Sequence, residues 1–326
     1  MTLITYTIRR LILIVPTFFL ISLVIFTIIH LAPGDPVTIM ISGLTGKVSP
    51  EDRDRMIKDF GLDEPIHVQY VLWLGRLFRL DLGHSYAYHQ SVAKLVSERI
   101  PRTLELMLMT EVIGLALAIV LGVVCAVKQY SLTDGVCKFG ALVGYSAPSF
   151  WLGLMGITVF AGMLQWLPSF GVETRGTIFP TIFDVWFDHL KHLILPVSIL
   201  VFGWVAYLFR LVRSSMLEVL RQDYITTARA KGVRERVVIY KHALRNALLP
   251  VVTYEGYSIG FILAGAAVIE TVFSWPGLGK FWVDVAGNRD YPTLMALSII
   301  VALMILLGNL VADIAYAIVD PRIRYD

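Results

Sequence analysis

Two glutamates stand in stretches of sequence that otherwise carry almost no charge: Glu111 within 103–127 and Glu255 within 248–269. An ionisable group among so many apolar neighbours costs roughly 3 kcal/mol at the centre of a bilayer unless it is partnered. A carboxylate placed there can meet the ammonium group of a passing solute. It can equally close a hydrogen bond or ion pair inside a helix bundle. Tyr254 and Tyr257 flank Glu255 and are candidates for lining the same path. Glu105 follows Arg102 by three residues, a spacing that lets the two pair on one helix face. A proton relay would need more intramembrane acids facing one another. His189 and His192 are also three apart and can share a face and bind a metal. The plainer reading is two solvated or lipid-facing rings near the end of a span.

Other reactive patterns are missing. No GxxxxGK[ST] phosphate loop occurs, and Gly277-Leu278-Gly279-Lys280 comes nearest without the required spacing. Cys125 and Cys137 are the only cysteines and form no CxxC or Cys/His array. No nucleophile–base set stands out. The chain is therefore expected to hold no catalytic residue, no cofactor and no metal of its own.

The elements that must position the glutamates are membrane helices. Of 326 residues, 56% are hydrophobic and 16% charged, with a mean hydropathy of +0.70. Soluble domains average about 25% charged. The net charge of +3 gives no reason to expect nucleic acid as a partner. A helix crosses a bilayer with about 20 apolar residues. Six such spans can be read: 11–34, 103–127, within 139–172, 193–212, 248–269 and 291–312. The first contains Pro16 and is too long for the apolar region of a cleaved signal peptide. The third run exceeds one crossing, so its end, Pro168 to Gly171, is expected to dip along the outer surface. The fold class is thus an all-α integral membrane protein in three parts. Residues 1–34 hold the N-terminus and first span, 35–102 an extracytoplasmic subdomain, and 103–326 a five-helix core. Within the subdomain, 50–60 reads as a short surface helix capped by Ser49, and Gln69–Phe78 shows helical spacing.

Lysine and arginine set the orientation. With a cytoplasmic N-terminus, the inside segments hold fifteen of them and the short outside loops four. Both termini are therefore expected in the cytoplasm.

Nine of those fifteen fall in one loop, between spans four and five, from Arg210 to Arg245. Asp223 can cap a helix starting at Tyr224, and Gly232 can end it in a left-handed conformation. Tyr224, Ile225 and Ala228 can form an apolar patch beside Arg229 and Lys231. A second helix runs from Val233 through Asn246 to Leu248-Leu249-Pro250 and into span five. A basic loop can simply hold anionic lipid. A short punctuated helix, continuous with a span, can instead carry a partner's movement into the membrane.

The series Thr226-Thr227-Ala228, Gly232 and then Leu249-Pro250 resembles the EAA motif of bacterial ABC-importer permeases. Thr226 and Thr227 replace that motif's Glu and first Ala, and the distance from Gly232 to Pro250 is about five residues longer than the general pattern. Both departures are similar to the dipeptide/oligopeptide branch. So are Arg9-Arg10 with Pro33-Gly34-Asp35-Pro36, Gly61-Leu62-Asp63 with Pro65, and Asp81-Leu82-Gly83 with Ser85. Further matches are Arg213-Ser214-Ser215-Met216, Ser274-Trp275-Pro276-Gly277-Leu278-Gly279 and Asp320-Pro321-Arg322.

The resemblance covers nearly the whole chain. It implies half of a translocation path in the bacterial inner membrane for di- or oligopeptides. It implies a second homologous permease, two ATPase subunits that bind ATP and Mg, and an extracytoplasmic solute-binding protein. It also implies that Asp223, Tyr224, Ile225, Thr226, Thr227, Ala228, Arg229, Ala230, Lys231 and Gly232, within a coupling region 213–250, contact the ATPase. Nickel and glutathione are alternative cargoes of this branch. The rival class is an autonomous secondary transporter or channel. The small residues Gly260, Ala264, Gly265, Ala266 and Ala267 serve either intrachain packing or contact with the second permease.

Overall fold

The computed structural model describes residues 3–31 and 63–319. The expected helix over 50–60, the Pro33–Pro36 turn, Gly61-Leu62 and the Asp320-Pro321-Arg322 tail lie outside them. In chain order the helices are α1 (Leu3–Leu31), α2 (Ile66–Phe78), α3 (Val92–Val127), α4 (Leu132–Ser146) and α5 (Ser149–Gly156), which continues in wider π turns over Ile157–Met163. Next come α6 (Ile182–Leu220), α7 (Asp223–Ala230) and α8 (235–247, with π turns over Val238–Ala243). Then follow α9 (Leu249–Phe261), a single 3₁₀ turn over Ile262–Ala264, α10 (Ala267–Val272), α11 (Leu278–Gly287) and α12 (Tyr291–Val319).

Among the described residues, five helical stretches are long and apolar enough to cross a membrane, and α4 with α5, taken as one span, makes a sixth. That sixth is not the straight span expected from 139–172, because α4 and α5 meet at 104°. Pro148 has no N–H to continue the helix, and it drives Ala147 into an extended conformation with ψ 130°. The broken pair nevertheless makes one crossing. Its contacts climb α6 in order: Asp134 bonds Arg213, Gly144 meets Phe202, Gly156 meets Ile199, and Val172 bonds His189. A re-entrant loop would turn back along α6.

The other registers agree. Glu105 meets His189 and Gly122 meets Val212, so α3 and α6 run parallel. Between α9 and α12, which are antiparallel, a Cβ on Gly308 would lie 2.4 Å from Gly260 Cα. Gly260 is thus used within the chain, backbone against backbone. Arg10 of α1 bonds Asp313 of α12 at 3.0 Å, which places the start of the first helix beside the end of the last.

One expected boundary changes. α3 begins at Val92, so residue 102 falls inside a continuous helix whose first turns bury Val92, Leu95 and Val96. The helical spacing over Gln69–Phe78 forms α2, which lies antiparallel along α1, with Tyr70 Oη 2.8 Å from Ser22 Oγ and the Phe78 ring tilted against Phe18 and Phe19.

Asp134 anchors the start of α4. Its fully buried carboxylate accepts two bonds from Arg213, at 2.7 and 2.9 Å, and one from the Tyr130 N–H at 3.1 Å. Removing one member of a buried pair costs about 3–5 kcal/mol. Asp134→Ala is therefore expected to lower the melting temperature of the purified protein sharply. Lys138→Ala, on a half-exposed partner 3.3 Å away, should change it little.

Candidate functional site

The loop helix forms as the spacing predicts, with one correction. α7 starts at Asp223 itself, and the residue before it, Gln222, makes no side-chain cap bond. Asp223 occupies the first turn, where a negative charge favours the helix dipole. Gly232 ends the helix at φ +76°. The closing bonds run from Gly232 N–H to Arg229 O (2.9 Å) and from Val233 N–H to Ala228 O (3.2 Å).

The apolar patch divides. Ile225 is fully buried, in a cluster with Val123 of α3, Val212 and Met216 of α6, Ala247 of α8 and Val251 of α9. Ala228 packs on the same cluster. This face holds α7 to its own bundle. Asp223, Tyr224, Thr226, Thr227, Arg229, Ala230, Lys231 and Gly232 remain exposed.

Polar bonds complete the mount. Arg229 grips Glu235 with two bonds, at 2.8 and 3.2 Å. That guanidinium holds the Glu235 carboxyl below the usual carboxylate range, and the carboxylate in turn raises Arg229. Asn246 Nδ2 donates to Tyr224 Oη at 2.8 Å. From α8 the backbone stays helical through Leu248 (φ −80°, ψ −10°) into α9. The short helix is thus fixed to α8, and α8 leads into a span.

In the membrane body the structure brings Glu111 and Glu255 together. Ser258 Oγ lies 3.0 Å from Glu111 Oε1, 3.2 Å from Glu255 Oε2 and 2.9 Å from Glu255 O. One hydroxyl proton cannot serve three acceptors. Glu255 Oε1 is buried without a partner. Tyr254 joins an aromatic group beside this cluster, 4.6 Å from the Tyr207 ring and 5.9 Å from Trp204. Tyr257 stands apart from it and is exposed.

Glu105 pairs with Arg102 at 3.3 Å, as the spacing predicts, and also with His189 Nε2 at 2.5 Å. His189 and His192 are neither solvated nor lipid-facing: His189 also bonds Val172 O, and His192, buried, bonds Asp188 O. Among the described residues no group of three or more His, Cys, Asp and Glu is arranged to hold a metal.

Sequence reasoning missed Glu270. It lies in α10, just past the break in span five, where Gly265 adopts φ +70°. Its carboxylate is fully buried. Lys280 N–H donates to it at 2.8 Å and Ala266 N–H at 3.3 Å. Thr103 Oγ1 lies 3.4 Å from the same carboxylate and accepts from Leu278 N–H at 2.7 Å. The 274–279 motif is the wall of this cradle, and its Trp275 is buried with Nε1 donating to Arg102 O at 2.9 Å.

Long spans, an acid pair between them and a rigidly mounted helix at one end define a multi-pass membrane permease. Comparison with known proteins makes this specific. The family model described as "Binding-protein-dependent transport system inner membrane component" matches residues 118–325. The model for the N-terminal part of such components matches 3–107. The chain belongs to this family.

It is 45% identical to the oligopeptide transport system permease protein AppB of Bacillus subtilis over 321 residues, covering 98% of this chain and 99% of the relative. It is 40% identical to the dipeptide transport system permease protein DppB of Alkalihalophilus pseudofirmus, covering 98% and 99%. It is 39% identical to the di/tripeptide transport system permease protein DppB of Pseudomonas aeruginosa, covering 97% and 98%.

Proposed function

We propose that this chain is the permease subunit of an ATP-driven peptide importer in the bacterial inner membrane, with α7 as the helix that engages an ATPase subunit. The carrying observation is the mounting of α7. Ile225 seats it on four other helices, its outer face is free, and α8 runs into α9. A lipid-binding loop needs charge but not this mount. ATP and Mg are bound by the ATPase partners, a second homologous permease completes the path, and an external binding protein delivers the cargo. The names of the relatives support peptides as that cargo. The excess of basic residues on the α7 side supports cytoplasmic termini.

The test is co-purification with candidate ATPase subunits co-expressed with this chain. Wild type should bring them down. Failure to do so would favour an autonomous transporter.

Glu111, Glu255 and Tyr254 line the path in this reading. The acceptors left over at Ser258 would receive donors from a peptide's ammonium group. Glu111→Gln should assemble normally and cut peptide uptake several-fold. Unchanged uptake would leave the acid pair with a packing role only.

A further inference from the structure

A second feature of the membrane body has no part in that reading. Between α3, α4 and α6 lies an apolar groove of about 450 Å³. Leu117 and Leu121 of α3 form one wall, Cys137 and Gly140 of α4 the other, and α6 from Val197 to Phe209 the floor. We propose that it holds an acyl chain of an anionic phospholipid from the leaflet on the α7 side, with the headgroup at Lys138.

Length, volume and charge select this occupant. The floor from Val197 to Phe209 spans about 18 Å at 1.5 Å per residue. That is close to one leaflet, half of a hydrocarbon core about 30 Å thick. A groove of about 450 Å³ drawn out over that length has room for one acyl chain. Its α7-side end is charged. Asp134 bonds both Arg213 at 2.7 Å and Lys138 at 3.3 Å, so one carboxylate faces two cations. The surplus positive charge is reachable, because Lys138 is 48% exposed. Lys128, at the end of α3, lies on the same side and is exposed. A phosphate at the membrane surface meets this charge while its chain fills the groove.

The full-length protein, in the complex in which it purifies, tests this in two ways. Cys137 lines the groove, while Cys125 is fully buried, so maleimide labelling reports Cys137. In nanodiscs of phosphatidylglycerol, labelling should be several-fold slower than in phosphatidylcholine, and Lys138→Glu should abolish the difference. Equal rates for the two lipids in wild type would overturn the proposal.

Native mass spectrometry gives the second arm. A Cβ on Gly140 meets nothing within 4 Å, so a side chain can start there, and Gly140→Phe is designed to occupy the groove. Its phospholipid should be lost, while Gly135→Phe, equally open but outside the lining, should keep it. Retention in Gly140→Phe, equal loss in both variants, or loss of a protein subunit in place of lipid would each refute an acyl-chain site.

Discussion

Gly279→Ala is expected to destabilise the folded protein strongly and to cut its yield in the membrane. The new Cβ would lie 2.7 Å from Ala267 N and 2.8 Å from Ala267 Cα, with Glu270 Oε2 at 3.0 Å. Two of these three are backbone atoms of α10, which cannot swing aside as a flexible side chain does. Gly277→Ala strikes the same centre, 2.5 Å from Glu270 Oε2 and 2.6 Å from Thr103 Oγ1. The expected cost is about 3 kcal/mol, at the upper end of the range for overpacking a filled core. Gly287→Ala, with nothing within 4 Å, is the control and should be neutral.

The acid at the centre sharpens the prediction. Ala266 N–H donates to one oxygen of Glu270 and Lys280 N–H to the other. Glu270→Gln keeps the shape but turns an NH₂ donor toward one of these donors. It should be nearly as harmful as Glu270→Ala, which leaves the buried N–H groups without an acceptor. Membrane yield and the melting temperature of detergent-solubilised protein measure both. A Glu270→Gln protein of wild-type stability would mean that the cradle does not depend on an acceptor at both oxygens.

The contrast between Glu270 and Glu111 shows what a sequence carries. Both acids interrupt apolar runs. Glu111 was conspicuous because its run is long. Glu270 falls one residue beyond the expected end of span five, where a charge looks ordinary. Its partners are chiefly backbone N–H groups, which residue types do not record. The glycines at 277 and 279 were visible as a motif, but their reason is the carboxylate that fills the space a Cβ would take. The spans themselves were legible, since apolar length is what a bilayer demands. Their ends were not. α6 runs from Ile182 to Leu220, well past 193–212, because a Thr181–Asp184 capping box starts it early. The break at Ala147-Pro148 was written in the proline, yet the charge-free run around it concealed the turn. Pairing Glu111 with Glu255 required the register of α3 against α9, which no local pattern supplies.

Two substitutions on α7, two residues apart, are expected to fail for opposite reasons. Ile225→Asp places a carboxylate at a fully buried position among Val212, Met216 and Val251. Set among these apolar side chains, the charge lacks compensation and α7 should detach from the bundle. Thr227→Arg changes an exposed position whose hydroxyl bonds only Asp223 O one turn back, at 2.9 Å. Fold and melting temperature should stay near wild type, since surface changes of this kind cost within about 0.5 kcal/mol. If α7 seats in an ATPase subunit, the added bulk and charge at that face should nonetheless remove most peptide-driven ATP hydrolysis and weaken co-purification. Only a contact surface predicts a stable, uncoupled protein from the outer face and an unstable one from the inner face. A purely lipid-binding loop predicts the reverse for Thr227→Arg, because an extra cation would strengthen its hold on an anionic surface and leave transport intact.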